Sequence, residues 1–265
     1  MLDKFNRRIN YLRISVTDRC NQRCYYCMPE EGVNFIKHED ILSYEEIAKI
    51  TEKIVSLGVD KVRLTGGEPL VRRGILSLVS MLSSIDGIKD LSMTTNGELL
   101  SKYAVDLKKN GLGRLNVSLD SINPDKYKMI TKSDNLNVVL DGLQAAVKAG
   151  FKTIKLNCVI KKSSNEKNAR EVAEYADKNG FEIRFIRMMN IAKGEFWPVE
   201  GGEGGNCRNC NRLRLSSDGR LFPCLFSDKS YSVKQLGVDK AVEQALKNKP
   251  ESGRKAQNNF YTLGG

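Results

Sequence analysis

The chain has 265 residues, enough for one large α/β domain with or without a small appendage. Hydrophobic residues make up 40% of it, and no apolar run approaches the ~18 residues that suggest a membrane span, so a soluble protein is expected. Its 43 basic and 32 acidic residues leave a net charge of +11, which implies either an anionic partner or simply a basic, solvated surface.

The first fifteen residues are charged and run into an apolar segment, without the apolar core and small-residue cleavage site of a signal peptide. A cytoplasmic protein is therefore expected. Strand-like runs follow at Tyr11–Val16, Lys61–Leu64, Leu91–Thr94, Leu115–Leu119, Ile154–Ile160 and Ile183–Ile186, separated by helical patterns. The first helix opens on a capping box, Ser43 with Glu46, and continues through Ile47, Ile50, Ile54 and Val55. Further helices are predicted near Ile75–Leu82, Leu136–Ala149 and Ala169–Lys178. Strands alternating with helices predict parallel pairing with right-handed crossovers. Six such units are too few for a complete eight-fold barrel, so the fold class is α/β, an open partial (β/α)6 barrel.

In parallel architectures, ligands bind beyond the carboxyl ends of the strands. That edge holds Thr17–Cys27, Thr65–Pro69, Thr94–Gly97, Ser118–Asp120, Lys161–Ser163 and Met188–Met189. After Met189 the alternation breaks at a Gly-rich stretch with Trp197-Pro198 and Gly201–Gly205. Beyond it, Arg212–Ser216 and Arg220–Phe226 flank Asp218-Gly219, a type I′ hairpin signal, and a last helix is predicted over Val233–Leu246. The expected organisation is a barrel over 1–190, a linker over 191–206, and a C-terminal metal-binding segment over 207–265.

Six of the seven cysteines fall into two tight groups, which in a reducing cytosol reads as metal or cluster ligation rather than disulfides. Cys20, Cys24 and Cys27 form CxxxCxxC in the loop after the first strand. Three thiolates on one loop can hold a 4Fe-4S cluster and leave one iron open, while the alternative is a zinc site completed by the only histidine, His38. Cys207, Cys210 and Cys224 read CxxC, thirteen residues, C, which alone suggests a zinc ribbon short of one ligand. Arg212 and Arg214 lie beside this group at alternating strand positions, and two guanidiniums facing one way suit an anionic ligand. Cys158, on a strand without a cysteine partner, reads as a small core residue.

CNQRCYYC followed by Gly66-Gly67-Glu68-Pro69 resembles the radical S-adenosylmethionine (SAM) superfamily. The stretches LRISVTDRCNQRCYYCMP, VRLTGGEPLVRR, TTNG, LNVSLDSI, EIRFI and CNRLRLSSDGRLFPCLF, with the terminal Gly264-Gly265, resemble the GTP 3',8-cyclase family within it. The resemblance implies a 4Fe-4S cluster on each cysteine triad, SAM on the first, and GTP beside the second. Tyr26, Gly67, Glu68, Ser118 and Met189 match SAM contacts of the family. Arg13, Arg63, Thr94, Lys155, Arg212 and Arg214 match its GTP contacts, and Gly264 and Gly265 match a glycine tail that assists catalysis. It implies hydrogen abstraction from C3' of GTP and attack on C8 of the guanine, in the first step of molybdenum-cofactor synthesis. It also implies a flavodoxin or ferredoxin type of electron donor, a downstream cyclic pyranopterin synthase, a homodimer, and neither membrane nor nucleic-acid partners. Only seventeen residues separate Met189 from Cys207, a shorter segment than the family's, and Arg187 replaces its usual acidic residue. Two other readings are a radical SAM peptide maturase and a non-enzymatic zinc and nucleic-acid binding protein.

Overall fold

The structure, a computed structural model, describes residues 1–28 and 32–264. All six expected strands form: β1 (Tyr11–Ser15), β2 (Lys61–Thr65), β3 (Asp90–Thr95), β4 (Arg114–Ser118), β5 (Ile154–Ile160) and β6 (Glu182–Arg187). They pair in parallel in the order β6-β5-β4-β3-β2-β1. A seventh parallel strand, β7 (Arg212–Leu215), docks on the free edge of β1 and carries β8 (Arg220–Phe222) and β9 (Tyr231–Ser232) antiparallel beyond it. The cysteine-bearing C-terminal hairpin is thus part of the same nine-stranded sheet as the barrel strands.

The helices are α1 (Tyr44–Ser56), α2 (Ile75–Ser83), α3 (Leu100–Lys109), α4 (Pro124–Thr131), α5 (Leu136–Lys148), α6 (Lys167–Lys178), α7 (Val233–Leu236), α8 (Val238–Lys247) and α9 (Phe260–Leu263). The Ser43–Glu46 capping box forms with both of its hydrogen bonds, 3.1 and 2.6 Å. Two differences from the sequence expectations have local causes. The last long helix is two helices, divided at Gly237, which takes φ +76°. The hairpin turn is not type I′, which needs positive φ at both central residues. Only Gly219 has it, at +84°, so Ser216 and Arg220 close a three-residue loop with the left-handed residue last.

Neighbouring residues of a strand point to opposite sheet faces, and here both faces are used. One row, with Leu12, Ile14, Val62, Leu64, Met93, Leu115, Val117, Leu156, Leu213 and Leu215, is fully buried in the main hydrophobic core. The alternate row is polar: Arg13 lies in register between Arg63 and Arg214, and Lys155 between Asn116 and Glu182. A complete barrel of this class packs apolar side chains into its interior. This one lines its interior with charge.

Cys158 is a buried core residue and His38 is exposed. Among the described residues no helix is long and apolar enough to cross a membrane. Leu115→Ala, which truncates an outward-facing side chain at zero exposure, is expected to lower the unfolding free energy by about 2–5 kcal/mol in denaturant titration.

Candidate active site

The loop after β1 carries Cys20, Cys24 and Cys27 to the carboxyl end of the parallel strands. It is held against the β2 loop by backbone bonds from Gly67 N to the Thr17 carbonyl, 2.7 Å, and from Glu68 N to that of Arg19, 2.8 Å. A Cβ on Gly67 would lie 2.3 Å from the Arg19 oxygen. The glycine pair therefore permits close approach of the cysteine loop. Glu68 is buried, and its carboxylate accepts from Leu70 N, Thr95 Oγ1 and Asn96 N at 2.7–3.0 Å, tying the β2 loop to the β3 loop. Tyr26 donates its hydroxyl to Asp120 Oδ2, 2.7 Å, while Asp120 Oδ1 accepts from Val159 N, also 2.7 Å. This fixes the third cysteine to the ends of β4 and β5.

Burial pushes the three thiols of this loop up, Cys20 to about 11 and Cys27 to about 12, and their mutual proximity adds to the rise of Cys24 and Cys27. Such thiols become thiolates when a metal group supplies positive charge. The Cys20 sulfur also accepts from Gln22 N at 3.4 Å and Asn96 Nδ2 at 3.8 Å, so donors already point at it. All seven cysteines are free thiols. Three thiols on one loop suit a cubane, whose cysteines each bind a different iron.

The second triad lies at the other end of the barrel. Cys207 and Cys210 precede the amino end of β7, and Cys224 follows β8, which runs back antiparallel. All three line a cavity of about 500 Å³ inside the barrel. Its wall carries nine basic residues, Arg13, Lys61, Arg63, Arg114, Lys155, Arg184, Arg212, Arg214 and Lys249, against the two acids Asp90 and Glu203. Tyr11 is stacked between Arg63 and Arg212, with guanidinium carbons 5.3 and 5.6 Å from its ring centre. Desolvation, helped by the surrounding guanidiniums, lowers the pKa of this group, Arg63 and Arg214 to about 10 and Arg13 well below its usual value.

Of the residues expected from the sequence, Arg13, Arg63, Lys155, Arg212, Arg214, Met189 and the second triad share this cavity. Tyr26, Gly67, Glu68 and the first triad lie at the opposite end of the strands. Thr94 and Ser118 stand on β3 and β4, half-buried, outside the cavity wall. The two triads thus occupy opposite ends of the barrel. Between them runs the C-terminal tail. The Gly264 carbonyl accepts from Arg214 Nη1 at 2.5 Å, its Cα faces Thr65, and Tyr261 lies close enough to Asp18 and Cys27 for their charges to add to the upward push of burial on its phenol. Gly265 lies outside the described residues.

The space inside the barrel is thus not confined to the carboxyl edge of the sheet. The cavity extends down the interior to the amino ends of the strands, which is why Lys61, Arg114 and Arg184 escaped a search of the loops. The short 190–206 segment walls the seam beside β6. Glu200 bridges to Phe185, Gly205 packs where a Cβ would meet the Trp197 carbonyl at 1.9 Å, and Arg187 lies 3.9 Å over the Trp197 ring.

Residues 14–176 match the Radical SAM superfamily. The GTP 3',8-cyclase of Thermodesulfovibrio yellowstonii is 42% identical over 282 residues, covering 89% of this chain and 88% of the relative. The chain belongs to the GTP 3',8-cyclase family of radical SAM proteins. The family's member from Petrotoga mobilis is 38% identical, covering 98% of this chain and 97% of its own length. That alignment extends over 313 residues, more than the 265 present here, so the relative carries stretches without a counterpart in this chain. In fold, the chain resembles Streptococcus suis SuiB bound to S-adenosylmethionine, with a TM-score of 0.67 at 16% identity over 92% of this chain and 66% of that one. Family membership makes this an iron-sulfur and SAM enzyme and disfavours the peptide-maturase and zinc-protein readings. The free, half-buried thiols fit that assignment.

Two outcomes are expected here. Gly67→Ala should displace the cysteine loop and lower both the iron bound at the first triad and SAM cleavage. Burial raises Glu68 to about 7, so the native state holds its proton over a pH range where the unfolded chain, near 4.5, has lost it. Its contribution to stability is present below about pH 4.5 and lost as pH rises through 7. Relative to Glu68→Gln, the wild-type apoprotein should lose roughly 3 kcal/mol of unfolding free energy across that window.

Proposed function

We propose that this chain converts GTP to 3',8-cyclo-7,8-dihydroguanosine triphosphate, the step that opens molybdenum-cofactor synthesis. The observation that carries this reading is the strongly basic cavity leading from the barrel interior to the second cysteine triad. An elongated polyanion with a base at one end matches that shape and charge. Arg13, Arg63 and Lys155 hold the triphosphate, and Arg212 and Arg214 orient the guanine end beside Cys207, Cys210 and Cys224. With SAM and an electron supplied at the first triad, the available chemistry is hydrogen abstraction from C3' of the ribose and bonding of that carbon to C8 of the guanine. Gly67, Ser118 and Met189 help to place SAM, and Tyr26 and Glu68 hold its loop in position. Arg214 holds the tail through the Gly264 carbonyl, which directs Gly264 towards the reacting sugar, and the terminal pair Gly264-Gly265 assists the step after hydrogen abstraction. Trp197 and the glycine loop replace the longer segment of the relatives as the cavity's side wall.

The free cysteines suit a reducing cytosol, with a flavodoxin or ferredoxin as electron donor and a cyclic pyranopterin synthase as the next enzyme. A homodimer is the expected assembly. In an anaerobic assay with GTP, SAM and reductant, the reconstituted protein should form the cyclised nucleotide. Arg63→Ala and Arg214→Ala should each lower kcat/KM for GTP by about 10- to 100-fold, the worth of one charge-assisted hydrogen bond, while leaving SAM cleavage in the absence of GTP intact. SAM cleavage without any conversion of GTP would keep the superfamily assignment and remove the substrate.

A further inference from the structure

Two separate segments must bring Cys207, Cys210 and Cys224 together, and no disulfide joins any of them. Two buried cations outside the cysteine motif do so by hydrogen bonds. Arg7, 8% exposed, uses its whole guanidinium. Nε pairs with Asp3 Oδ2 at 2.6 Å, Nη1 donates to the carbonyls of Cys207 at 2.7 Å and Glu251 at 2.9 Å, and Nη2 donates to that of Pro250 at 2.7 Å. Lys249, 1% exposed, donates Nζ to the carbonyls of Arg212 at 2.7 Å and Pro223 at 2.6 Å. Those carbonyls belong to the residue two after Cys210 and the residue just before Cys224.

We propose that Arg7 and Lys249 are positioning residues for the C-terminal iron-sulfur cluster, fastening its two cysteine segments to the strap formed by residues 249–251. The strap is shared by both cations. Lys249 supplies one fastening through its side chain, and the next two residues supply the carbonyls that Arg7 grips along with that of Cys207. Among the described residues no carboxylate forms an ion pair with Lys249. A buried ammonium needs a compensating negative group, and the nearby sulfurs provide one when they are thiolates. The arrangement resembles the outer-shell hydrogen bonding that orients metal ligands and tunes the metal they hold. It lies outside every motif that identifies the family in this sequence.

The proposal rests on Cys207, Cys210 and Cys224 holding a cluster, and not on GTP being the substrate. Its test uses the full chain, reconstituted anaerobically, without GTP. Iron content is measured together with the electron paramagnetic resonance of the reduced clusters, with and without SAM. The signal that responds to SAM reports the N-terminal cluster, and the remainder the C-terminal one. Lys249→Met should remove most of the SAM-insensitive signal and bring iron from two clusters' worth towards one, with SAM cleavage unchanged. Arg7→Lys, which keeps the charge but loses the fork, should have the same effect in weaker form. Lys249→Gln retains two donors for the carbonyls, so its cluster should persist with a lowered midpoint potential, because a positive charge favouring the reduced state is gone. Full iron in Lys249→Met and Arg7→Lys with an unchanged potential in Lys249→Gln would overturn the proposal. So would loss of both clusters together with SAM cleavage, which would make these residues general staples of the fold. A wild-type chain that loads only the N-terminal triad would instead refute the cluster reading on which the proposal stands.

Discussion

Like charges crowded inside a barrel are the constraint around which this molecule is arranged. Arg13 stands between Arg63 and Arg214 on adjacent strands, and the surrounding wall adds six further cations while offering only two carboxylates. Of those, Asp90 is already engaged with Arg114, and Lys155 draws on Glu182 outside the cavity wall. Removing guanidiniums from water beside one another is costly, as the lowered values of Arg13, Arg63 and Arg214 record. A polyanion entering the cavity offsets that cost. The same charges that weaken the empty barrel therefore give it its selectivity.

The fold makes this arrangement possible by dividing labour between the two faces of one sheet. The outward row packs an apolar core against the helices, so the inward row is free to carry function. Docking of β7 on β1 then places Arg212 beside Tyr11 and Arg214 beside Arg13, and puts two cysteines at the amino ends of the strands. The first triad sits at the carboxyl ends, on a loop held by the Gly66-Gly67 backbone, Glu68 and Asp120. The tail separates the two ends, anchored by Arg214 and packed near Cys27 through Tyr261. Radical generation and substrate anchoring are in this way assigned to opposite ends of one interior.

Where the chemistry was local, the sequence was readable. The six βα strands, the Ser43 capping box and both cysteine groups stood out because their periodicity or spacing is confined to a few residues. The pairing of β7 with β1 did not, since nothing within RLRL says which of many strand edges it will join. The turn at Asp218-Gly219 was misread because that dipeptide suits more than one loop length, and only the Ser216–Arg220 pairing decides between them. Helix α3 was missed because it is rich in lysine and its apolar face is reduced to Leu100, Ala104 and Leu107. The inward cations Lys61, Arg114 and Arg184, and the buried pair Arg7 and Lys249, are invisible for a common reason. A long charged side chain is normally solvated, and only tertiary structure shows which ones are not.

The account's central claim is that the basic interior holds GTP with its ribose towards the SAM end and its base towards the second triad. It is tested most directly with GTP deuterated at C3', by mass spectrometry of the 5'-deoxyadenosine formed in a single turnover. The account predicts deuterium in that product. Unlabelled 5'-deoxyadenosine, formed while GTP is bound and SAM is being cleaved, would contradict it.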